Sequence, residues 1–133
     1  MRVMTIYKPA DTRDMEACLP PTQERMEAMV RFIEELATAG KLLQTDGLLG
    51  SSKGARVRLD NGKFTVTDGP FTESKELIAG YAILNVESLD EAIELGRRFL
   101  EVAGDGESEI RQMYDAPAYE ADPIPGPEYP LAS

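Results

Sequence analysis

The stretch that decides the fold is LIAGYAILNVESLDEAIELGRRFL, residues 77–100. Its first ten residues are apolar without clean alternation, the pattern of a strand covered on both faces. Ser88-Leu89-Asp90-Glu91 is a capping box: the serine accepts from the amide three residues on, and the glutamate reaches back. The helix it opens carries Leu89, Ala92, Ile93, Gly96, Phe99, Leu100 and Ala103 on one face, and Gly104 ends it. SEIRQMY follows as a final strand. A strand, an amphipathic helix and a strand thus close the ordered part of the chain.

Working toward the N-terminus, the same pattern recurs. RVMTIY, residues 2–7, alternates and is rich in β-formers, so it reads as a first strand. Residues 8–21 are a polar connection with three prolines and room for one helical turn. Thr22 is an N-cap candidate. Met26, Met29, Val30, Ile33, Leu36 and Ala37 then repeat at spacings of three and four, with Gly40 as the stop. The methionines read as core filler. KLLQTDGLL is the next strand, with an irregularity expected at Asp46-Gly47.

Between the halves lies RVRLDNGKFTVT, residues 56–67. Asn61-Gly62 suits a two-residue type I′ turn. That register sets Leu59 opposite Phe64 and Val57 opposite Val66, with Arg56 and Arg58 on the other face beside Thr67 and Thr65. The apolar side is expected to pack inward. The order β-α-β-hairpin-β-α-β predicts an α+β sandwich with both helices on one face of an antiparallel sheet, the ferredoxin-like βαββαβ plan with an inserted β-hairpin. The other sheet face then needs cover, and homodimerisation is the economical solution.

At 133 residues, 42% hydrophobic and 29% charged, the chain fits one soluble globular domain. Residues 1–115 are expected to form that domain, and residues 116–133 an acidic, proline-rich tail. The opening MRVMTIYKPA is too short in apolar residues for a secretory signal or a membrane span, so a cytoplasmic location and no membrane partner are expected. The single cysteine, Cys18, agrees with a reducing compartment. A net charge of −10 argues against nucleic-acid binding. Lys53, Arg56, Arg58 and Lys63 are the local exception: they either hold an anion or form a solvated strand face.

The chain has no histidine. Serine or cysteine triads are therefore excluded, and zinc and most transition-metal sites are disfavoured; no metal and no cofactor are expected. A carboxylate beside an apolar cleft can still act as acid or base. Asp68 and Glu76, flanking a Gly-Pro-Phe corner, are the catalytic candidates. Arg111, Lys75, Tyr81 and Tyr7 are the candidates for holding an anionic ligand or an oxyanion. The corner also has a plain structural explanation: an Asx-type turn at Asp68, extended backbone at Gly69 before Pro70, and Phe71 plugging the core.

The segment SSKGARVRLDNGKFTVTDGPFTESKELIAGYAILNVESLDEAIE strongly resembles the YCII-related, DGPF-domain family. The likeness runs over about residues 1–119. Its most specific part is the VTDGPF corner, then E-S-K-E, then Gly80-Tyr81. The resemblance implies a ferredoxin-like fold paired into a dimeric α/β barrel, and it marks Asp68, Gly69, Pro70, Phe71, Glu73, Lys75, Glu76 and Gly80 as signature positions. It supplies no reaction. A better-studied branch carries a His/Asp pair that this chain lacks, and Leu49 is apolar where many members carry a polar residue. Two functions follow as expectations. One is a homodimer that binds a small polar or anionic molecule in a cleft, with cofactor-free isomerase or lyase chemistry through carboxylates. The alternative is a noncatalytic regulatory or protein-interaction module, linked by the resemblance to sigma-factor regulation. The residues do not decide whether the protein is an enzyme.

Overall fold

The computed structural model describes residues 1–71 and 76–115. Strand β1 (Arg2–Pro9) is followed by a one-turn helix α1 (Arg13–Glu16), helix α2 (Gln23–Thr38) and strand β2 (Leu42–Gly47). A 3-10 turn at Ser51–Lys53 leads into β3 (Ala55–Asp60) and β4 (Lys63–Asp68). Strand β5 (Gly80–Asn85), helix α3 (Leu89–Ala103) and strand β6 (Gly106–Gln112) complete the fold. Four strands make one antiparallel sheet in the order β2-β5-β1-β6, while β3 and β4 form a separate two-stranded ribbon. This is the ferredoxin-like α+β arrangement with a hairpin inserted between its two halves.

The caps place the helices. Thr22 accepts from the Arg25 amide at 3.2 Å, and Gly40 takes φ +73° just beyond the end of α2. Ser88 accepts from the Glu91 amide at 3.1 Å. The reciprocal half of the capping box shifts by one residue: the Glu91 carboxylate accepts from the Glu87 amide at 3.4 Å and pairs with Lys41 at 2.9 Å.

Both helices lie on one face of the sheet, where Val3, Phe32, Leu36, Leu84, Val86, Ala92 and Leu95 form the core. The buried seam of α2 runs through Phe32 and Leu36, one turn apart, so Met26 and Val30 fall outside it and are exposed. On α3 the buried positions are Ala92, Leu95 and Gly96, and Leu89 and Ile93 are exposed.

Three expectations are corrected. Among the described residues, the helices cover strand β5 on one face: Leu84 on the helix side is buried, while Tyr81 and Ile83 on the opposite side are half-buried. The irregularity in β2 lies between Leu42 and Gln44, where the register slips by one residue, and Asp46 and Gly47 pair regularly with Tyr81 and Gly80. The hairpin has the expected register, and Asn61 and Gly62 take φ +49° and +77° as a type I′ turn requires. Its apolar side does not pack inward, however. The ribbon is not part of the main sheet, and Val57, Leu59, Phe64 and Val66 are 59–69% exposed.

Candidate functional site

The Asp68–Phe71 corner is held from beneath by the Ser51 turn. The Gly69 amide donates to the Gly54 carbonyl at 3.0 Å, and the Phe71 amide donates to Ser51 Oγ at 2.7 Å. Ser51 in turn donates its hydroxyl to Glu16 Oε2 and its amide to Glu16 Oε1. The Gly50 amide donates to Cys18 Sγ at 3.3 Å. Glu16, the last residue of the one-turn helix α1, thus contacts the turn that braces the corner. Glu16 and Ser51 lie 35 residues apart, and no local signal in the sequence joins them.

Beside this brace opens a cleft of about 460 Å³, bounded by residues 47–51, 53 and 54, Glu16, Arg56, Phe71 and residues 76–78. Its walls are apolar at Leu48, Leu49, Phe71, Leu77 and Ile78. Its charges are Glu16, Glu76, Lys53 and Arg56. Phe71 is buried, and the Arg56 guanidinium sits 3.9 Å from its ring centroid. Among the described residues Arg56 and Lys53 make no ion pair, whereas the Glu16 carboxylate is occupied by Ser51.

A second polar constellation lies on the sheet face that the helices leave open. Cross-strand partners share a face, and Val3 points to the helices, so Met4, Ile6 and Lys8 point away from them. With these lie Tyr81 and Ile83 of β5, Gln44 and Asp46 of β2, and Glu107, Glu109 and Arg111 of β6. The Tyr81 hydroxyl accepts from Gln44 Nε2 at 2.8 Å and donates to Asp46 Oδ2 at 3.1 Å. Its bond to Asp46 raises the phenol above its ordinary range. Lys8 Nζ lies 3.0 Å from Glu109, 3.8 Å from Glu76 and 4.0 Å from Glu107, and Arg111 lies 3.4 Å from Glu109. The bond to Glu109 raises the lysine, and the same contact lowers the glutamate.

Of the candidates named from sequence, Glu76 lines the cleft and also reaches Lys8 at the margin of the open face. Tyr81 and Arg111 share that face. Asp68 is exposed at the root of the hairpin, paired with Ala55, and is not among the cleft walls. Tyr7 lies on the helix side. Its ring meets Phe99 edge-on at 5.1 Å, its hydroxyl donates to the Gly104 carbonyl at 3.1 Å, and burial raises its phenol. Lys75 lies outside the described residues, as does Glu73.

The sequence model of the YCII-related domain matches residues 1–115. The chain belongs to the YCII-related family. Among curated proteins, this YCII-related chain is 39% identical over 59 residues to an uncharacterized protein of Rhizobium meliloti (strain 1021). The match spans 44% of this chain and 48% of that relative, so the chain covers about half the length of the relative it matches.

Proposed function

We propose that this YCII-related protein binds a small organic acid in the cleft beside the Asp68–Phe71 corner, and that it works as a homodimer. The observation that carries the reading is Arg56. Its guanidinium carbon sits 3.9 Å from the centroid of the buried Phe71 ring at the cleft wall, with no carboxylate partner among the described residues. A guanidinium fixed by stacking keeps its N–H edge for a planar anion and loses little freedom on binding it. Lys53 adds a second positive charge, and Leu48, Leu49 and Ile78 suit an apolar body on the bound acid. Half-buried Met4, Ile6 and Ile83 on the open sheet face support association with a second copy, which would also shield the cleft's margin at Glu76.

Cofactor-free proton transfer, as in an isomerase or lyase, is the chemistry that fits this lining. Of the two carboxylates singled out in the sequence, Glu76 stands at the cleft and takes the role of acid or base. The test is calorimetric titration of short-chain hydroxy and oxo acids, and of their neutral amides, into the wild type and Arg56→Gln. Acids should bind and amides should not, and Arg56→Gln should weaken acid binding at least about tenfold, the worth of one charge-assisted hydrogen bond. Glu76→Gln should keep binding and lose turnover of any acid that is converted. Acid binding that is indifferent to Arg56→Gln would overturn the assignment.

A further inference from the structure

We propose that Glu16 is a positioning residue for the cleft: through Ser51 it fixes Phe71, and through Phe71 it seats Arg56 for the bound acid. The inference rests on the acid-binding reading above and gives Glu16 a role which that reading leaves out. Both Glu16 oxygens are committed to Ser51, Oε1 to its amide at 3.0 Å and Oε2 to its hydroxyl. An ionised carboxylate can only accept, so it draws the Ser51 proton toward itself. The hydroxyl's lone pairs are then left for the Phe71 amide, which donates at 2.7 Å. Phe71 is buried, and its ring centroid lies 3.9 Å from the Arg56 guanidinium carbon. The end of α1 also packs directly on the cleft wall. A Cβ on Gly50 would lie 2.6 Å from the Glu16 carbonyl oxygen and 2.7 Å from that of Met15, so glycine is needed for the two backbones to approach this closely.

Charge alone would give Glu16 the opposite effect. A carboxylate in the wall of a cleft that takes an anion repels that anion, so removing its charge should tighten binding. Positioning predicts weaker binding, because an Arg56 that is no longer seated must give up freedom when the acid arrives. The two accounts therefore differ in sign. Glutamine at position 16 separates them, since its single oxygen can serve only one of the two Ser51 groups. Its amide nitrogen is a donor. It would either face the Ser51 amide, donor against donor, or take up a lone pair of the hydroxyl.

The test is a double-mutant cycle, read by calorimetric titration of the same short-chain hydroxy and oxo acids into wild type, Glu16→Gln, Arg56→Gln and the double variant. Glu16→Gln should weaken acid binding about fivefold where Arg56 is present, the worth of one net hydrogen bond. In the Arg56→Gln background it should leave binding unchanged or tighter. Ser51→Ala removes the hydroxyl but keeps the Glu16 charge, and it should likewise weaken binding only where Arg56 is present. A loss of equal size in both backgrounds is what a general loosening of the fold would give, and it overturns the proposal. So does binding that is unchanged or tighter in Glu16→Gln alone. Acid binding that is absent, or indifferent to Arg56→Gln, overturns the acid-binding reading and this proposal with it. Should Glu16→Gln not fold, hydrogen exchange decides. Binding and bracing are linked reciprocally, so saturating acid should slow exchange of the Ser51 and Phe71 amides in the wild type and not in Arg56→Gln at the same saturation. No slowing in the wild type, or equal slowing in both, overturns the proposal.

Discussion

A Cβ placed on Gly69 would lie 1.7 Å from the Ser51 carbonyl oxygen and 2.6 Å from its carbon. The obstacle is backbone braced by Glu16, not the end of a pliant side chain, so it cannot swing aside. Gly62 offers the opposite case: φ is +77° and nothing lies within 4 Å of the added carbon. Gly69→Ala should therefore cost about 3 kcal/mol, the upper range for overpacking. Gly62→Ala should cost about 1 kcal/mol, for left-handed backbone alone. Urea unfolding followed by circular dichroism measures both, and equal midpoints for the two variants would refute the account. The sequence explains Gly69 through the proline that follows it. The stronger reason is a turn 18 residues earlier, and contact at that distance leaves no local mark. The same holds for Glu16, a charged residue in a polar connection with nothing beside it to announce a role. Arg56 was partly legible, since turn and register put it on the polar face of the hairpin. Its seat on Phe71 was not.

Among the elements, what holds α2 to α3 and the sheet is apolar burial at Phe32, Leu36, Ala92 and Leu95. Arg98 also reaches Glu35 and lies over the Phe32 ring at 5.1 Å, but both charged partners are largely exposed, and such pairs contribute less than about 1 kcal/mol. The helices were legible because caps and periodicity are local; the seam was misplaced on α2 because the stripe at spacings of three and four through Met26, Val30, Ile33 and Ala37 passed over Phe32, and spacing alone cannot say which of two neighbouring stripes faces the sheet. Strands β1 and β6 are joined differently on the open face, where Lys8 stands among Glu76, Glu107 and Glu109. Glu109 is lowered from 4.5, so its share of stability is present above 4.5 and fades as pH falls through the lowered value. Lys8 is raised from 10.5, so its share is full below 10.5 and is lost as pH climbs through the raised value. The gap in thermal midpoint between wild type and Lys8→Met should thus be flat between about pH 4.5 and 10.5 and narrow on either side. A gap that peaks outside that window would show that Lys8 acts through something other than these carboxylates.

For the molecule as a whole, alternating strands and helices were enough to set a two-layer sandwich, because two amphipathic helices can cover only one side of a four-stranded sheet. What the pattern could not show is that the hairpin stands apart from that sheet. An apolar stripe reads alike whether it faces the chain's own core or another surface, since burial is a property of the assembled fold. The domain limit is a sharper matter. Among the described residues, the buried core lies between Val3 and Leu95 and the last strand ends at Gln112. The chain is then tied back to its start, with the Met113 amide donating to the Arg2 carbonyl at 2.9 Å and the Arg2 side chain donating to the Tyr114 carbonyl. These bonds close the sheet by residue 114, and the family match also stops at 115. Residues 116–133 add three acids and no bases to a chain already at −10, so removing them lowers self-repulsion. A protein ending at Asp115 should therefore unfold cooperatively with a midpoint within about 2 °C of the full chain, under half a kcal/mol for a domain of this size. Calorimetry of the two forms at equal concentration makes the comparison. A fall of more than about 5 °C, roughly 1 kcal/mol, would mean that the closing bonds at Arg2 are not the end of the fold and that the acidic segment contributes contacts of its own.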